Sequence, residues 1–203
     1  MNAVGLILAG GSGSRLGSVR KADLRLGGQT LIERVVARLR VTAPPLLIST
    51  GRAAEDLTAF GTPVGDLELP LAGPLAGLAA AGQLLSGRDP ETIVVTVAVD
   101  TPFLPPDYVE RLVGAIAGGA RAAQAGWQGN GYPTNAAWRL ADLVDLAAGI
   151  TAGTAPNSPK ALLREHHAMM VDWSGSHAED PFANLNTLAD LVALAGRASL
   201  QPA

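Results

Sequence analysis

A glycine-rich stretch directly follows the first apolar run of the chain: Leu8-Ala9-Gly10-Gly11-Ser12-Gly13-Ser14-Arg15-Leu16-Gly17, with Lys21 shortly after. Glycines at 10, 11, 13 and 17 let main-chain N–H groups approach an anion with no Cβ in the way. Arg15 can fork across phosphate oxygens, and Lys21 can act as a point charge on a phosphorus under attack. Two cations beside a nest of amides suit a triphosphate. Two standard phosphate patterns are excluded. Gly11, Gly13 and Gly17 read G-x-G-x-x-x-G, one residue too long for a dinucleotide fingerprint, and no Gly-Lys-Ser/Thr occurs to make a P-loop. The other reading is a flexible loop with two solvated cations. Its position after a buried strand, where open α/β sheets bind ligands, favours the first.

Asp100 closes the apolar run Ile93–Val99 and precedes Thr101-Pro102. A hard oxygen ligand at a strand end suits Mg²⁺, which takes one or two carboxylates together with substrate phosphates. Alternatively, Asp100 only forms a turn. Asp66 is open in the same way, as a turn acid or as an acceptor for a base or ribose. Asn184-Leu185-Asn186-Thr187 precedes the final helix; Asn186 or Thr187 can cap it, or both Asn side chains can reach one ligand from an extended segment. His166 and His167 read as a solvated helix end, and Trp127, Trp138 and Trp173 as core.

What must position these groups is a set of alternating strands and helices. Val4–Leu8, Leu46–Ser49, a short segment around Val64 and Thr92–Val99 read as strands. Thr30–Arg40 is an amphipathic helix whose Thr30 and Glu33 form a capping box. Ala53–Phe60 reads as a short helix, Pro74–Leu85 as a helix with proline in its first turn, and Pro106–Ala117 as another. Further on, Thr151–Pro159 reads as a loop, Lys160–His166 as a helix, Met169–Asp172 as a strand and Thr187–Gly196 as the closing helix. The alternation argues for a parallel sheet covered by helices on both faces, in one domain spanning 1–203.

Composition narrows the classes. The 203 residues carry 15 Lys+Arg against 18 Asp+Glu, a net charge of −3, so neither a nucleic-acid footprint nor a polybasic membrane anchor is expected. The chain has no cysteine, which excludes a disulfide framework, a thiolate metal site and a cysteine nucleophile. No segment approaches the roughly 18 apolar residues of a membrane span, and the N-terminus lacks the positive region of a signal peptide. A cytoplasmic protein is expected.

The ordered set Leu8-Ala9-Gly10-Gly11-x-x-x-Arg15-Leu16-Gly17-x-x-x-Lys21, Gly73-Pro74-Leu75-Ala76-Gly77, Asp100-Thr101-Pro102, Tyr132-Pro133-Thr134 and Asn184-Leu185-Asn186-Thr187 resembles the molybdenum cofactor guanylyltransferases, a branch of the MobA-like nucleotidyltransferases. The likeness runs from about residue 4 to 195. It implies a three-layer α/β/α sandwich with a mostly parallel, Rossmann-like sheet. It also implies transfer of GMP from Mg·GTP to the terminal phosphate of molybdopterin, with release of pyrophosphate. Carried over by motif, Leu8, Ala9, Gly10 and Gly11 contact GTP through the main chain, and Lys21 binds its phosphates. Asp66 binds the nucleotide, Asp100 holds nucleotide and Mg²⁺, and Arg15 completes the phosphate cradle.

The pattern has departures. Ser49 stands where relatives often carry Asn and still offers a hydroxyl to the nucleotide. Arg20 replaces a frequent Asp and adds positive charge at the phosphates, Tyr132 replaces a common His, and Asn157-Ser158-Pro159-Lys160 is less Arg-rich. Molybdoenzymes or their chaperones would receive the product. Three rivals stand beside this reading: a cytidylyltransferase using CTP, disfavoured because the absent Cβ at Gly10 leaves room for a purine; a sugar- or alcohol-phosphate nucleotidyltransferase; and a nucleotide-binding regulator without turnover.

Overall fold

A computed structural model describes residues 2–10, 19–51, 57–65 and 67–200 of the chain, with side chains to 198. β1 (Ala3–Leu8) is buried at every position, as an unbroken apolar run between two covered faces must be. A single 3-10 turn (Lys21–Asp23) and the two-residue strands β2 (Arg25–Leu26) and β3 (Gln29–Thr30) lead into α1 (Leu31–Leu39). Thr30 Oγ1 accepts the Glu33 N–H at 3.3 Å, and Glu33 Oε2 accepts the Thr30 N–H at 2.7 Å. The capping box thus starts α1 where its residue types place it.

The chain continues through β4 (Ala43–Gly51), β5 (Thr62–Gly65), α2 (Pro74–Leu84), β6 (Ile93–Ala98) and α3 (Tyr108–Ala117). It then forms β7 (Ala122–Trp127), β8 (Asn130–Arg139), α4 (Leu146–Ala152), α5 (Pro159–Glu165), β9 (Met169–Asp172) and α6 (Leu188–Leu200). The main sheet has seven strands in the order β5-β4-β1-β6-β8-β7-β9. β8 runs antiparallel to both of its neighbours, and every other pairing is parallel.

One core packs α1, α3 and α6 on one face, with Ile7, Val95, Val97 and Ala137 pointing into it. The other packs α2, α4 and α5 against Leu6, Leu8, Leu47, Val94 and Trp138. The result is the expected three-layer α/β/α sandwich with a mostly parallel sheet. Because β1, β4 and β6 are parallel neighbours, their carboxyl ends open onto one edge, where such sheets bind ligands.

Four local expectations differ from the structure. Leu57–Phe60 forms a turn rather than the end of a helix, and 52–56 lie outside the described residues. The hairpin β7–β8 was not expected. Alanines and Pro133 make its sequence weak as strand, yet β7 and β8 bury small residues under α3 and β8 completes the sheet beside β6. α4 extends over Thr151 and Ala152, where the sequence pattern predicts a loop. His166 is buried (5% exposed) rather than solvated, because the chain turns inward after α5 toward Asp142.

Candidate active site

The carboxyl ends of β1, β4 and β6 line a cleft of about 540 Å³. Leu8, Ala9 and Gly10 form one wall, Ser49 and Gly51 the next, and Ala98, Val99 and Asp100 the third. Gly73 and Pro74, at the amino end of α2, close the side, and Thr134 on β8 and Asn184 complete it. The walls are tied by main-chain bonds: Ala9 N–H donates to Ser49 O at 2.8 Å, and Val99 N–H to Leu8 O at 3.1 Å.

Lys21 and Asp100, far apart in sequence, meet here. Lys21 Nζ donates to Asp100 Oδ2 at 2.6 Å and to Asn186 Oδ1 at 2.6 Å. The Lys21 and Asp100 side chains are only 20% and 15% exposed, so their attraction is screened less than that of a surface pair. Leu185 N–H donates to Asp100 O at 2.9 Å, which stitches the Asn184–Thr187 segment to the tip of β6.

The same segment resolves the alternatives left open for its residues. Thr187 caps α6: its Oγ1 accepts the Asp190 N–H at 3.1 Å, and Asp190 Oδ2 accepts the N–H groups of Asn186 and Thr187 at 2.9 and 2.7 Å. Those bonds, the Asn186 N–H first, hold the Asp190 carboxyl below the usual carboxylate range. Asn186 instead turns its side chain to Lys21, and Asn184 faces the cleft.

Two glycines set how closely the walls approach. A Cβ on Gly77, one turn into α2, would lie 2.9 Å from Ser49 Cβ, with Ser49 Oγ nearer still. Only glycine lets α2 aim its positive end into the cleft from this distance, an arrangement that attracts anions. Gly73 begins α2 with φ 90°, a conformation that side chains oppose. At Gly10, a Cβ would point at the Gly51 main chain, 3.2 Å from its nitrogen. The missing Cβ therefore serves the approach of β1 to β4.

The structure brings together Leu8, Ala9, Gly10, Lys21, Ser49 and Asp100 of the expected site. Gly11, Arg15 and Asp66 lie outside the described residues. The Arg20 guanidinium forks onto Asp23 at 2.7 and 2.9 Å. Tyr132 packs its ring 5.1 Å from Phe182 and donates to Asp180 Oδ2 at 2.7 Å, outside the cleft lining. Burial, then Asp180, pushes its hydroxyl well above the usual tyrosine range. Trp138 and Trp173 are fully buried, in line with a core role, and Trp127 is half-buried. Gly51 was missed in the sequence, although a glycine at the end of a strand is its signal; φ is 69° there.

The MobA-like NTP transferase domain family matches residues 5–174. A molybdenum cofactor guanylyltransferase of Cereibacter sphaeroides (strain ATCC 17029 / ATH 2.4.9) is 37% identical over 192 residues, covering 95% of each chain. That of Rhizobium leguminosarum bv. trifolii (strain WSM2304) is 35% identical, covering 93% of this chain and 89% of the relative. Among solved structures, the molybdopterin-guanine dinucleotide biosynthesis protein A of Archaeoglobus fulgidus superposes with a TM-score of 0.75. It is 23% identical and covers 98% of this chain and 100% of its own, a likeness of fold.

Proposed function

The chain belongs to the MobA-like NTP transferase domain family, and on that premise we propose that it transfers GMP from GTP to the terminal phosphate of molybdopterin. The observation that carries the reading is the Lys21–Asp100 pair, 2.6 Å apart in a cleft walled by glycine-bearing strand ends and the amino end of α2. A triphosphate needs positive charge and close main chain, and the cleft supplies both. The guanylyltransferase names of relatives 35–37% identical support GTP over CTP.

In this mechanism an oxygen of the acceptor phosphate attacks the α-phosphorus in line, the α–β P–O bond breaks, and pyrophosphate leaves. A phosphate monoester is already anionic near neutral pH, so the acceptor needs no general base. Leu8, Ala9, Gly10 and Gly11 hold the nucleotide by main chain, and Ser49 and Asp66 add polar contacts. Lys21, held at the correct height by Asn186, delivers its charge to the phosphates, and Arg15 completes the cradle. These groups act by positioning and by neutralising charge.

Among the described residues, Asp100 presents a hard carboxylate to the cleft, and no cluster of three or more His, Asp or Glu could cage a metal. That donor set fits Mg²⁺, which keeps water and phosphate oxygens as its other ligands. Bound at Asp100, it would neutralise charge on the phosphates and on the departing pyrophosphate. The remaining assignments follow: one nucleotidyltransferase domain over 1–203, a cytoplasmic location, and delivery of the product to molybdoenzymes or their chaperones. Among the described residues no helix is long and apolar enough to cross a membrane.

Pyrophosphate release measured with GTP and with CTP, each with and without molybdopterin, tests this. Release is expected with GTP and acceptor together and to stop on chelation of the metal. Equal or greater release with CTP, or none with any acceptor, would overturn the proposal.

A further inference from the structure

The turn that carries Asp100 is held by a residue on another strand. The β6–β8 ladder is paired as far as Thr96 opposite Ala136. Beyond it β8 leaves the ladder, where the β7–β8 register shifts between Gln124 and Ala125. The Ala98 N–H therefore finds a side chain: it donates to Asn135 Oδ1 at 3.0 Å. The Thr101 hydroxyl donates to Ala98 O at 2.7 Å and lies 3.4 Å from the same Asn135 oxygen. The Thr101 N–H also reaches Ala98 O, at 3.2 Å. Ala98, Asp100 and Thr101 thus form one closed turn, and β8 grips it through the Asn135 amide.

Asn135 and Thr101 are both 0% exposed. The amide orientation is set by chemistry, because an N–H donor at Ala98 requires the oxygen to face it. Asn135 Nδ2 is left buried with no hydrogen-bond partner. Such an orphan weakens a core, and a residue present for packing alone would not carry it.

We propose that Asn135 is a positioning residue for Asp100, setting where the carboxylate stands for the metal. This rests on the reading of Asp100 as the carboxylate that meets metal and nucleotide. Residues that orient a metal ligand from behind typically change metal affinity about 10–100-fold when removed.

Mn²⁺·GTP binding, followed by the paramagnetic resonance of Mn²⁺, tests it in a cycle of wild type, Asn135→Ala, Asp100→Ala and the double variant. GTP binding in excess chelator is measured alongside. Asn135→Ala is expected to weaken Mn²⁺·GTP binding about 10–100-fold, to leave metal-free GTP binding unchanged, and to add nothing in the Asp100→Ala background. A loss of equal size in both backgrounds, or equal loss with and without metal, would show a merely structural role and overturn the proposal. No loss would overturn it as well. Should Asp100→Ala itself bind Mn²⁺·GTP normally, the parent reading of Asp100 falls, and the inference with it. If Asn135→Ala does not fold, Asn135→Leu, which keeps the volume and removes the acceptor, takes its place in the cycle.

Discussion

Lys21 serves two acceptors with one nitrogen, each 2.6 Å away, on an arm that is four-fifths buried. A compact ammonium on a flexible stem can do this; a planar guanidinium spreads its donors and cannot place them at one point. Lys21→Ala removes a charge aimed at the reacting phosphates, and Asp100→Ala removes the carboxylate that fixes it. Each is expected to lower pyrophosphate release at saturating Mg·GTP by about 10²–10³-fold, or about 2.7–4 kcal/mol, in a protein whose circular dichroism is unchanged. Lys21→Arg keeps the charge and loses the geometry, so it is expected to recover only part of the rate. Near-normal turnover in Lys21→Ala or Asp100→Ala would remove that residue from the site.

Among the elements, α2 gives the sharpest test, because helix propensity and packing disagree in sign. Gly77→Ala in a helix interior should stabilise by up to about 1 kcal/mol on propensity alone. Here the added Cβ meets Ser49, with Ser49 Cβ at 2.9 Å. Overpacking of this kind costs about 1–3 kcal/mol, and a chain of this size loses about 2–4 °C of Tm per kcal/mol. Gly77→Ala is therefore expected to lower Tm, and adding Ser49→Gly to restore it; a raised Tm in the single variant would refute the close contact. α1, α2 and β6 could be read in the sequence because their signals are local: a capping box, a first-turn proline and an unbroken β-branched run. The hairpin β7–β8 could not. Ala122-Ala123-Gln124-Ala125-Gly126 has little intrinsic strand preference, and Pro133 argues against an inner strand, so only burial beneath α3 and the register shift place them. Asn135 was missed for the same reason, since its importance depends on a strand pairing that the residue pattern hides. α4 did carry a signal, Gly153 with φ 70° just past its end.

Across the molecule, the sensitivity of the fold to acid separates into two windows, one set by His166 away from the cleft and one by Asp190 beside it. His166 lies between α5 and the Leu140–Asp142 turn, its ring buried and its Nδ1 without a hydrogen bond, with Asp142 Oδ2 3.8 Å away. Burial lowers its pKa from 6.5, as does Arg121, while Asp142 and Glu165 draw it upward without prevailing. The native protein therefore resists a proton that the unfolded chain accepts. Stability from the neutral ring is complete above pH 6.5 and is lost as pH falls through 6.5 toward the folded value. The lowered carboxyl of Asp190 acts in the more acid window: its contribution is present above the unfolded value near 3.8 and is lost as pH falls through the lower folded one. The two separate by substitution. Urea midpoints taken from pH 7.5 to 5 are expected to fall in the wild type and to stay level in His166→Leu, which fills the site with a group that cannot titrate. Parallel declines in the two proteins would place the acid-sensitive group elsewhere in the sandwich.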